Sequence, residues 1–399
     1  MKKNFSKPAS LVVAGIMSGT SADGVDVALV RISPRRGEMQ NLRPHVELLA
    51  HEGYSFPAAL RKKILAAMAA ESISTEELAQ LSWRLGIAYG EAVLETRLRH
   101  KIAVDLIGCH GQTLFHQPTS KLYAGRRFAC TWQSGEASVL ASITGLPVIS
   151  NFRPADMMAG GQGAPLVPML DYVLFADPAQ GRVLQNIGGI ANLTAIPAAA
   201  APDDLVAFDS GPGNMIIDAL MLQLFGKKFD RNGDVAARGV VLERVLHKAM
   251  QHPYFKIKPP RSTGRELFGV NYAQRFLAQC EKYSSRKEDA IATATAFTAE
   301  SIADSYRRFA HRRMKSAPVD YILSGGGALN QCLVAMLRER LESLGCKIST
   351  SDSHGLPAFA KEATAFALLA WLSWHGLPGN VPAATGAQRS VILGQVTYA

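Results

Sequence analysis

The chain has 399 residues, 48% hydrophobic and 19% charged, with 34 Gly and 20 Pro. It is too long for one ordinary core and too apolar for a disordered or coiled-coil chain, so two or three globular domains are expected. Forty-three Lys and Arg against 33 Asp and Glu leave a net charge of +10, which would suit nucleic acid, anionic lipid or a phosphorylated or carboxylated small molecule. The densest basic cluster, Arg307, Arg308, His311, Arg312, Arg313 and Lys315, falls at a predicted helix end, where cations complement the helix dipole. No zinc-finger, RRM or KH signature accompanies it, so nucleic acid is not an expected partner.

In chain order, residues 11–16 and 25–32 read as strands joined by Met17-Ser18-Gly19-Thr20-Ser21-Ala22-Asp23-Gly24, a loop of small residues rich in donors. Helical patterns follow over 58–70 and 75–99. Residues 105–109 read as a buried strand ending in His110-Gly111-Gln112-Thr113, with a helix expected over 137–144 and a strand over 146–151. The second half opens in the same way: strand 182–187, turn Gly188-Gly189, strand 190–196. Two such hairpins predict a diverged duplication. Strand 205–209 runs into Ser210-Gly211-Pro212-Gly213 and a helix over 214–225, and strand 320–323 into Ser324-Gly325-Gly326-Gly327 and a helix over 329–344. Residues 359–374 form an apolar helix carrying Glu362. Strands alternating with helices indicate an α/β chain, whose ligands gather beyond the strand C-termini.

The run 11–16 is too short for a secretory segment, and the uncharged stretch 183–202 is broken by Gln, Asn and Pro, so no membrane span is expected. Cys109, Cys130, Cys280, Cys332 and Cys346 form no C-x-x-C, and their odd number argues against a disulfide framework. A cytoplasmic location is expected.

Walker A and G-x-G-x-x-G patterns are absent. Three glycine turns stand instead, at Gly19, at Gly188-Gly189 and at Gly325-Gly326-Gly327. Glycines let main-chain N–H groups approach a phosphate, Ser18, Thr20 and Ser21 add donors, and a helix N-terminus after Gly327 would add positive dipole. One such turn alone is ordinary hairpin geometry. Three in this order read as two loops pinching phosphates and a third passing an adenosine. Asp209 ends a strand before small residues and is a candidate base; capping the next helix is the competing role. Asp23 and Asp26 flank the first loop and could hold Mg²⁺ through water, although a turn-forming role suits Asp23 equally. His110 and His116 lack a third ligand at metal spacing and are expected to be hydrogen-bonded structural residues. Residues 230–241 lack the Gly and Glu of a calcium loop, and no Gly-x-Ser-x-Gly elbow occurs.

On these motifs the chain resembles the anhydro-N-acetylmuramic acid kinase family, of the actin-like, sugar-kinase and heat-shock-chaperone ATPase superfamily. The blocks carrying the likeness are Gly15-Ile16-Met17-Ser18-Gly19-Thr20-Ser21-Ala22-Asp23-Gly24-Val25-Asp26, Gly108-Cys109-His110-Gly111-Gln112-Thr113, Asn151-Phe152-Arg153 and Gly160-Gly161-Gln162-Gly163. They continue with Asn186-Ile187-Gly188-Gly189, Phe208-Asp209-Ser210-Gly211-Pro212-Gly213-Asn214, Ser262-Thr263-Gly264-Arg265-Glu266, Gly325-Gly326-Gly327 and Pro378-Gly379-Asn380, in one order along nearly the whole chain.

The resemblance implies two RNase-H-like α/β domains flanking an ATP cleft, one over 1–178 with 358–399 packing back onto it and one over 179–357. It implies ATP-dependent, hydrolytic phosphorylation of 1,6-anhydro-N-acetylmuramic acid to N-acetylmuramic acid 6-phosphate. By matching position Asp209 would be the base that activates water, and Glu362 a second carboxylate near the anhydro bridge. Thr113, Arg153 and Gln162 would bind substrate, Arg153 facing the lactyl carboxylate. Gly19, Thr20, Ser21, Ala22, Asp23, Gly24, Val25 and Asp26, with Gly188, Gly189, Gly325, Gly326 and Gly327, would bind ATP, with Mg²⁺ as the second cofactor. The expected partners are the two small molecules, with no nucleic acid and no membrane; a homodimer stays open. The chain departs from the family at Ala22, where Leu is usual, at Pro154-Ala155, where many members carry another Arg, at Arg261, where Lys is usual, in a longer 120–132 stretch, and in an extra tail over 1–10. A levoglucosan-type anhydro-sugar kinase and an ATP-driven conformational switch are the competing readings.

Overall fold

The first hairpin forms because Val, Ile, Leu and Ala recur along two segments long enough to pair, and such residues fit a pleated, buried surface. In a computed structural model, which describes residues 10–35, 43–314, 318–350 and 357–399, β1 (Leu11–Ser18) pairs antiparallel with β2 (Gly24–Ser33), and β2 with β3 (His45–Ser55). Two helices come next, α1 (Ala58–Ala69) and α2 (Thr75–His100). The Ser74 hydroxyl starts α2 by accepting the Glu77 N–H at 3.1 Å. β4 (Leu106–Tyr123) then lies parallel to β1.

β4 runs well past the strand expected from the sequence and pairs with β5 (Arg126–Ser134). Ala124 and Gly125, at φ 46° and 81°, turn the chain between them. This arm is not legible in the sequence because its side chains do not alternate toward a core: Phe115, Leu122, Tyr123, Phe128 and Trp132 are all exposed. Then come α3 (Ala137–Thr144), β6 (Val148–Ser150) parallel to β4, α4 (Arg153–Met158) and α5 (Pro168–Phe175).

A second sheet begins with the antiparallel meander β7 (Arg182–Ile187), β8 (Ile190–Ile196) and β9 (Val206–Pro212). Helices α6 (Met215–Phe225), α7 (Glu243–Met250), α8 (Arg265–Phe268), α9 (Val270–Cys280) and α10 (Lys287–Ser305) succeed it. α10 is rich in Ala, Thr and Ser and is buried on nearly every side. β10 (Val319–Ser324) lies parallel to β7, and after α11 (Gln331–Glu342) β11 (Cys346–Thr350) lies parallel to β10. In the basic cluster Arg307 faces Glu300 and Asp304, and Arg308 faces Asp304 at 3.2 Å, as a solvated helix end requires; Lys315 lies outside the described residues.

The last stretch supplies α12 (Lys361–Trp374), α13 (Pro382–Thr385) and β12 (Gln395–Thr397), which pairs antiparallel with β6. α12 lies on the first sheet at two glycines. A Cβ on Gly15 would stand 1.9 Å from the Ala363 carbonyl oxygen, and one on Gly108 2.3 Å from that of Phe366. No larger residue admits the helix so close.

The chain divides into two units, one of residues up to Leu174 together with Phe359–Ala399, the other Phe175–Ala358. The sheet orders are β12-β6-β4-β1-β2-β3, with β5 on β4, and β11-β10-β7-β8-β9. Counted within each unit, a three-stranded meander is followed by two strands parallel to its first, the RNase-H-like order, twice. The shared order accords with the expected duplication. Among the described residues no helix is long and apolar enough to cross a membrane, and the five cysteines are free.

Candidate functional site

The candidate residues fall into two groups, one in each unit. In the second unit, β9 does not stop at Asp209 but continues to Pro212. The turn at Gly188-Gly189 is stitched to the start of α6, since Asn214 N–H donates to the Gly188 carbonyl at 2.8 Å and Gly213 N–H to that of Gly189 at 2.9 Å. A Cβ on Gly213 would stand 2.2 Å from the Gly188 oxygen. Asn214 Nδ2 donates to the Ile187 carbonyl at 3.2 Å, and Gly325, at φ 78°, lies against Asn186 and Ile187. Gly188, Gly189, Gly325, Gly326 and Gly327 therefore share one end of this sheet with the 209–214 segment. The helix expected from about Leu329 starts at Gln331. A 3₁₀ turn, Gly326–Leu329, intervenes, and Asn330 Oδ1 caps α11 by accepting the Leu333 N–H at 2.9 Å. Three consecutive glycines favour the tight turn over an immediate α-helix.

Asp209 is half-buried and caps no helix. Its Oδ2 accepts the Thr263 N–H at 2.8 Å, whereas Oδ1 has no partner among the described residues. Its main-chain oxygen accepts the Tyr254 hydroxyl at 2.6 Å and Arg261 Nε at 3.1 Å, and its N–H donates to the Arg261 carbonyl at 3.1 Å. Burial pushes the carboxyl up to about 6, against the pull of the Thr263 N–H and the Arg261 charge and with a push from Glu266. A carboxyl so placed is ionised at neutral pH yet basic enough to take a proton.

In the first unit, the loop after β1 is braced from β4. Ser18 Oγ donates to Gln112 Oε1, Gln112 Nε2 donates to the Gly19 carbonyl at 3.1 Å, and Ala22 N–H closes on the same carbonyl at 3.1 Å. Gly19, Thr20, Ser21 and Asp23 face outward, while the side chains of Ala22 and Val25 are in the core. Ala22 holds φ 53°, so any contact from it or Val25 to a ligand is through the main chain. A Cβ on Gly24 would meet the Tyr54 carbonyl at 2.1 Å, which makes this glycine a requirement of β2–β3 packing. Asp23 pairs with Arg61 at 2.9 Å, and Asp26 Oδ1 with His51 Nε2 at 3.1 Å.

Arg153 reaches the 160–163 loop that carries Gln162. Its Nε and Nη2 both donate to His110 Nε2, at 3.0 and 2.8 Å, and Nη1 donates to the Gly163 carbonyl at 2.7 Å. Because an arginine only donates, His110 must carry its proton on Nδ1, which donates to the Gly111 carbonyl at 2.7 Å. Burial and the Arg153 charge hold this imidazole well below its usual range, hence neutral. Burial likewise draws Arg153 down to about 10, opposed by Glu362 and Asp156. Asp156 fastens the 160–163 loop, accepting Gly163 N–H at 2.8 Å, Asn380 Nδ2 at 2.8 Å and Thr385 Oγ1 at 2.7 Å, which gives the Pro378-Gly379-Asn380 block its reason. Thr113 Oγ1 accepts Gln133 Nε2 at 3.4 Å. Glu362 opens to solvent at the first turn of α12. Partial desolvation raises its carboxyl, Arg153 and Lys361 oppose that, and Asp26 adds to it. Sequence reasoning does not single out Gln112, Arg261, Tyr254 or Thr263 as site residues, and it gives His110 only a structural role. Gln112 and Thr263 lie in the motif blocks and Arg261 among the departures, but local pattern gives none of the four a role, since the Gly19, Asp209 and Ser210 groups they bond lie far along the chain.

Two RNase-H-like units, each opening on a hairpin with a glycine turn and each bearing polar groups at one end of its sheet, place the protein in the actin-like ATPase class. The family model for anhydro-N-acetylmuramic acid kinase matches residues 11–399. Anhydro-N-acetylmuramic acid kinases from Bacillus cereus strain AH187 and Bacillus anthracis are each 44% identical over 391 residues, covering 97% of this chain and 99% of theirs. Similar solved structures include component A of (R)-2-hydroxyglutaryl-CoA dehydratase from Acidaminococcus fermentans (13% identity, TM-score 0.42, 90% of this chain and 98% of that one). A ROK family glucokinase from Streptomyces griseus is another (10% identity, TM-score 0.34, 90% and 97%). The chain belongs to the anhydro-N-acetylmuramic acid kinase family and is an ATP-dependent kinase of that anhydro-sugar.

Proposed function

We propose that the protein opens 1,6-anhydro-N-acetylmuramic acid with water and phosphorylates the oxygen so released, with Asp209 as general base. Asp209 Oδ1 takes a proton from water as the water oxygen bonds to the anomeric carbon. The bond from that carbon to the bridging oxygen breaks, and the freed O6 attacks the γ-phosphoryl of ATP, giving N-acetylmuramic acid 6-phosphate and ADP. Addition of water at an anomeric carbon is carboxylate work, as in the base half of inverting glycoside hydrolysis, while phosphoryl transfer asks chiefly for positioning and charge neutralisation.

The observation that carries this reading is the state of Asp209: one oxygen fixed by the Thr263 N–H, the other unpartnered among the described residues, and a carboxyl raised to about 6. Arg153 would hold the lactyl carboxylate through its two remaining N–H groups, with Thr113 and Gln162 on the sugar and Glu362 orienting water or sugar. Gly19 to Asp26 and the glycines at 188, 189 and 325–327 would hold ATP. Mg²⁺, which neutralises phosphate charge, suits one carboxylate acting through water. Asp26 is half-exposed with only Oδ1 bonded, and fits that use better than Asp23, which is paired with Arg61. Free cysteines and the small-molecule substrates fit a reducing, cytosolic setting.

The test incubates purified protein with MgATP and either 1,6-anhydro-N-acetylmuramic acid or levoglucosan, following ADP and sugar phosphate. Phosphosugar formed in step with ADP from the acidic sugar is expected. Preference for levoglucosan, or ADP released without phosphosugar, overturns the reading in favour of one or other competing function.

A further inference from the structure

Arg261 is as buried as a core residue, 6% exposed, and no other arginine or lysine among the described residues is buried to that degree. It forms no ion pair there. A buried cation without a carboxylate is costly, and a packed apolar side chain would avoid the cost. Its donors show what is gained. Nε donates to the Asp209 carbonyl at 3.1 Å, Nη1 to that of Ile257 at 2.9 Å, and Nη2 to Ser305 Oγ at 2.9 Å and the Ser210 carbonyl at 3.4 Å. Ser305 Oγ in turn donates to the Ser210 carbonyl at 3.1 Å. The guanidinium lies over the Tyr254, Phe309 and Phe208 rings at 4.7, 5.1 and 5.2 Å, which fixes its plane. Around one side chain, the strand carrying Asp209, the 254–257 turn and the end of α10 are joined, and two residues further on Thr263 N–H grips Asp209 Oδ2.

We infer that Arg261 is a positioning residue for Asp209: it locks the main chain on both sides of the carboxylate and so aims Oδ1 at the attacking water. This rests on the role proposed above for Asp209. Methionine keeps an unbranched side chain but none of the donors that reach six separate oxygens here. Small displacements of a reacting group cost up to about a hundredfold, so Arg261→Met should lower kcat roughly tenfold to a hundredfold while KM for sugar and ATP changes less than about threefold. Tyr254→Phe removes one donor to the same carbonyl and should lower kcat in the same sense by a smaller factor, with Arg261 intact. The groups facing the carboxyl are Arg261, Glu266, Tyr254 and the Thr263 N–H, with Asp304 and Arg308 beyond Arg261. Arg261→Met should therefore move the acid limb of kcat/KM to higher pH and Glu266→Gln to lower pH, a change that a merely structural loss would not give.

The measurements are steady-state kinetics and circular dichroism melts on the full chain. Folded Arg261→Met with unchanged kcat overturns the inference, as does a fall in rate that only tracks the folded fraction with the pH limb unmoved. Should Arg261→Met not fold, Tyr254→Phe decides: unchanged kcat overturns it. Asp209→Asn separates the two claims: near-normal turnover there refutes the base role itself, whereas a large loss there beside unchanged kcat in folded Arg261→Met refutes only the positioning.

Discussion

Two arginines, one in each unit, show how the same side chain is put to different ends. Arg261 spends its donors on carbonyls and one hydroxyl and is sealed from solvent. Arg153 rests three N–H groups on His110 and Gly163 and keeps two without a protein acceptor among the described residues. Its main partner is a neutral imidazole, so its charge is undiminished. The difference teaches that a guanidinium is read by its unused donors: the saturated one holds a scaffold, and the unsaturated one has N–H groups to spare, which the proposed function gives to a carboxylate.

The sharpest way to break this comparison acts on what each arginine serves. Asp209→Asn should lower sugar phosphorylation by at least about a hundredfold, the scale of a positioned acid–base group, in a coupled ADP assay with the phosphosugar quantified. Arg153→Met should raise KM for the acidic sugar roughly tenfold to a hundredfold, the worth of a charged hydrogen bond, and leave any turnover of an unsubstituted anhydro-sugar unchanged. Equal losses on both sugars would show that Arg153 is scaffold too.

Protonation sharpens it further. With a carboxyl near 6, Asp209 must be ionised to serve as the proposed base, so kcat/KM should fall as pH drops through about 6. Its folded value lies above the ordinary 3.8, so the native state holds the proton more tightly there, and ionisation costs stability as pH rises through 6. Asp209→Asn should accordingly melt higher than wild type at pH 8 and show a smaller gain at pH 5. His110 has the opposite sign. Held neutral in the fold, it lets the unfolded chain take up a proton below about 6.5, so stability falls on acidification. His110→Gln should flatten that fall by a small amount in denaturant titrations at pH 5 and 7.5, while raising KM for the acidic sugar.

Much of the fold is legible in the sequence. The glycine-bearing hairpins, the strand-to-glycine junctions and the helices at 75–99 and 137–144 arise from periodicity and turn chemistry, which are local. The β4–β5 arm is not legible, because its residues face solvent and carry no core-directed alternation. Sequence pattern starts α11 too early, because Gly325-Gly326-Gly327 gives no sign of where the cap will fall, and Asn330 decides it. Asp209 stands out in the sequence as a carboxylate at an expected strand end, yet that it caps no helix and accepts the Thr263 N–H, from 54 residues away along the chain, comes only from the tertiary structure.

What the amino acids by themselves determined was the alternation of strands and helices, the positions of the tight turns and the types of group available for chemistry, since these depend on neighbours three or four residues apart. Only the tertiary structure decided which of those groups are held, which are left with a free oxygen or a spare N–H, and how burial moves their protons. Hydrogen bonds and desolvation of that kind arise between segments distant in sequence, and no short window of the chain contains both partners.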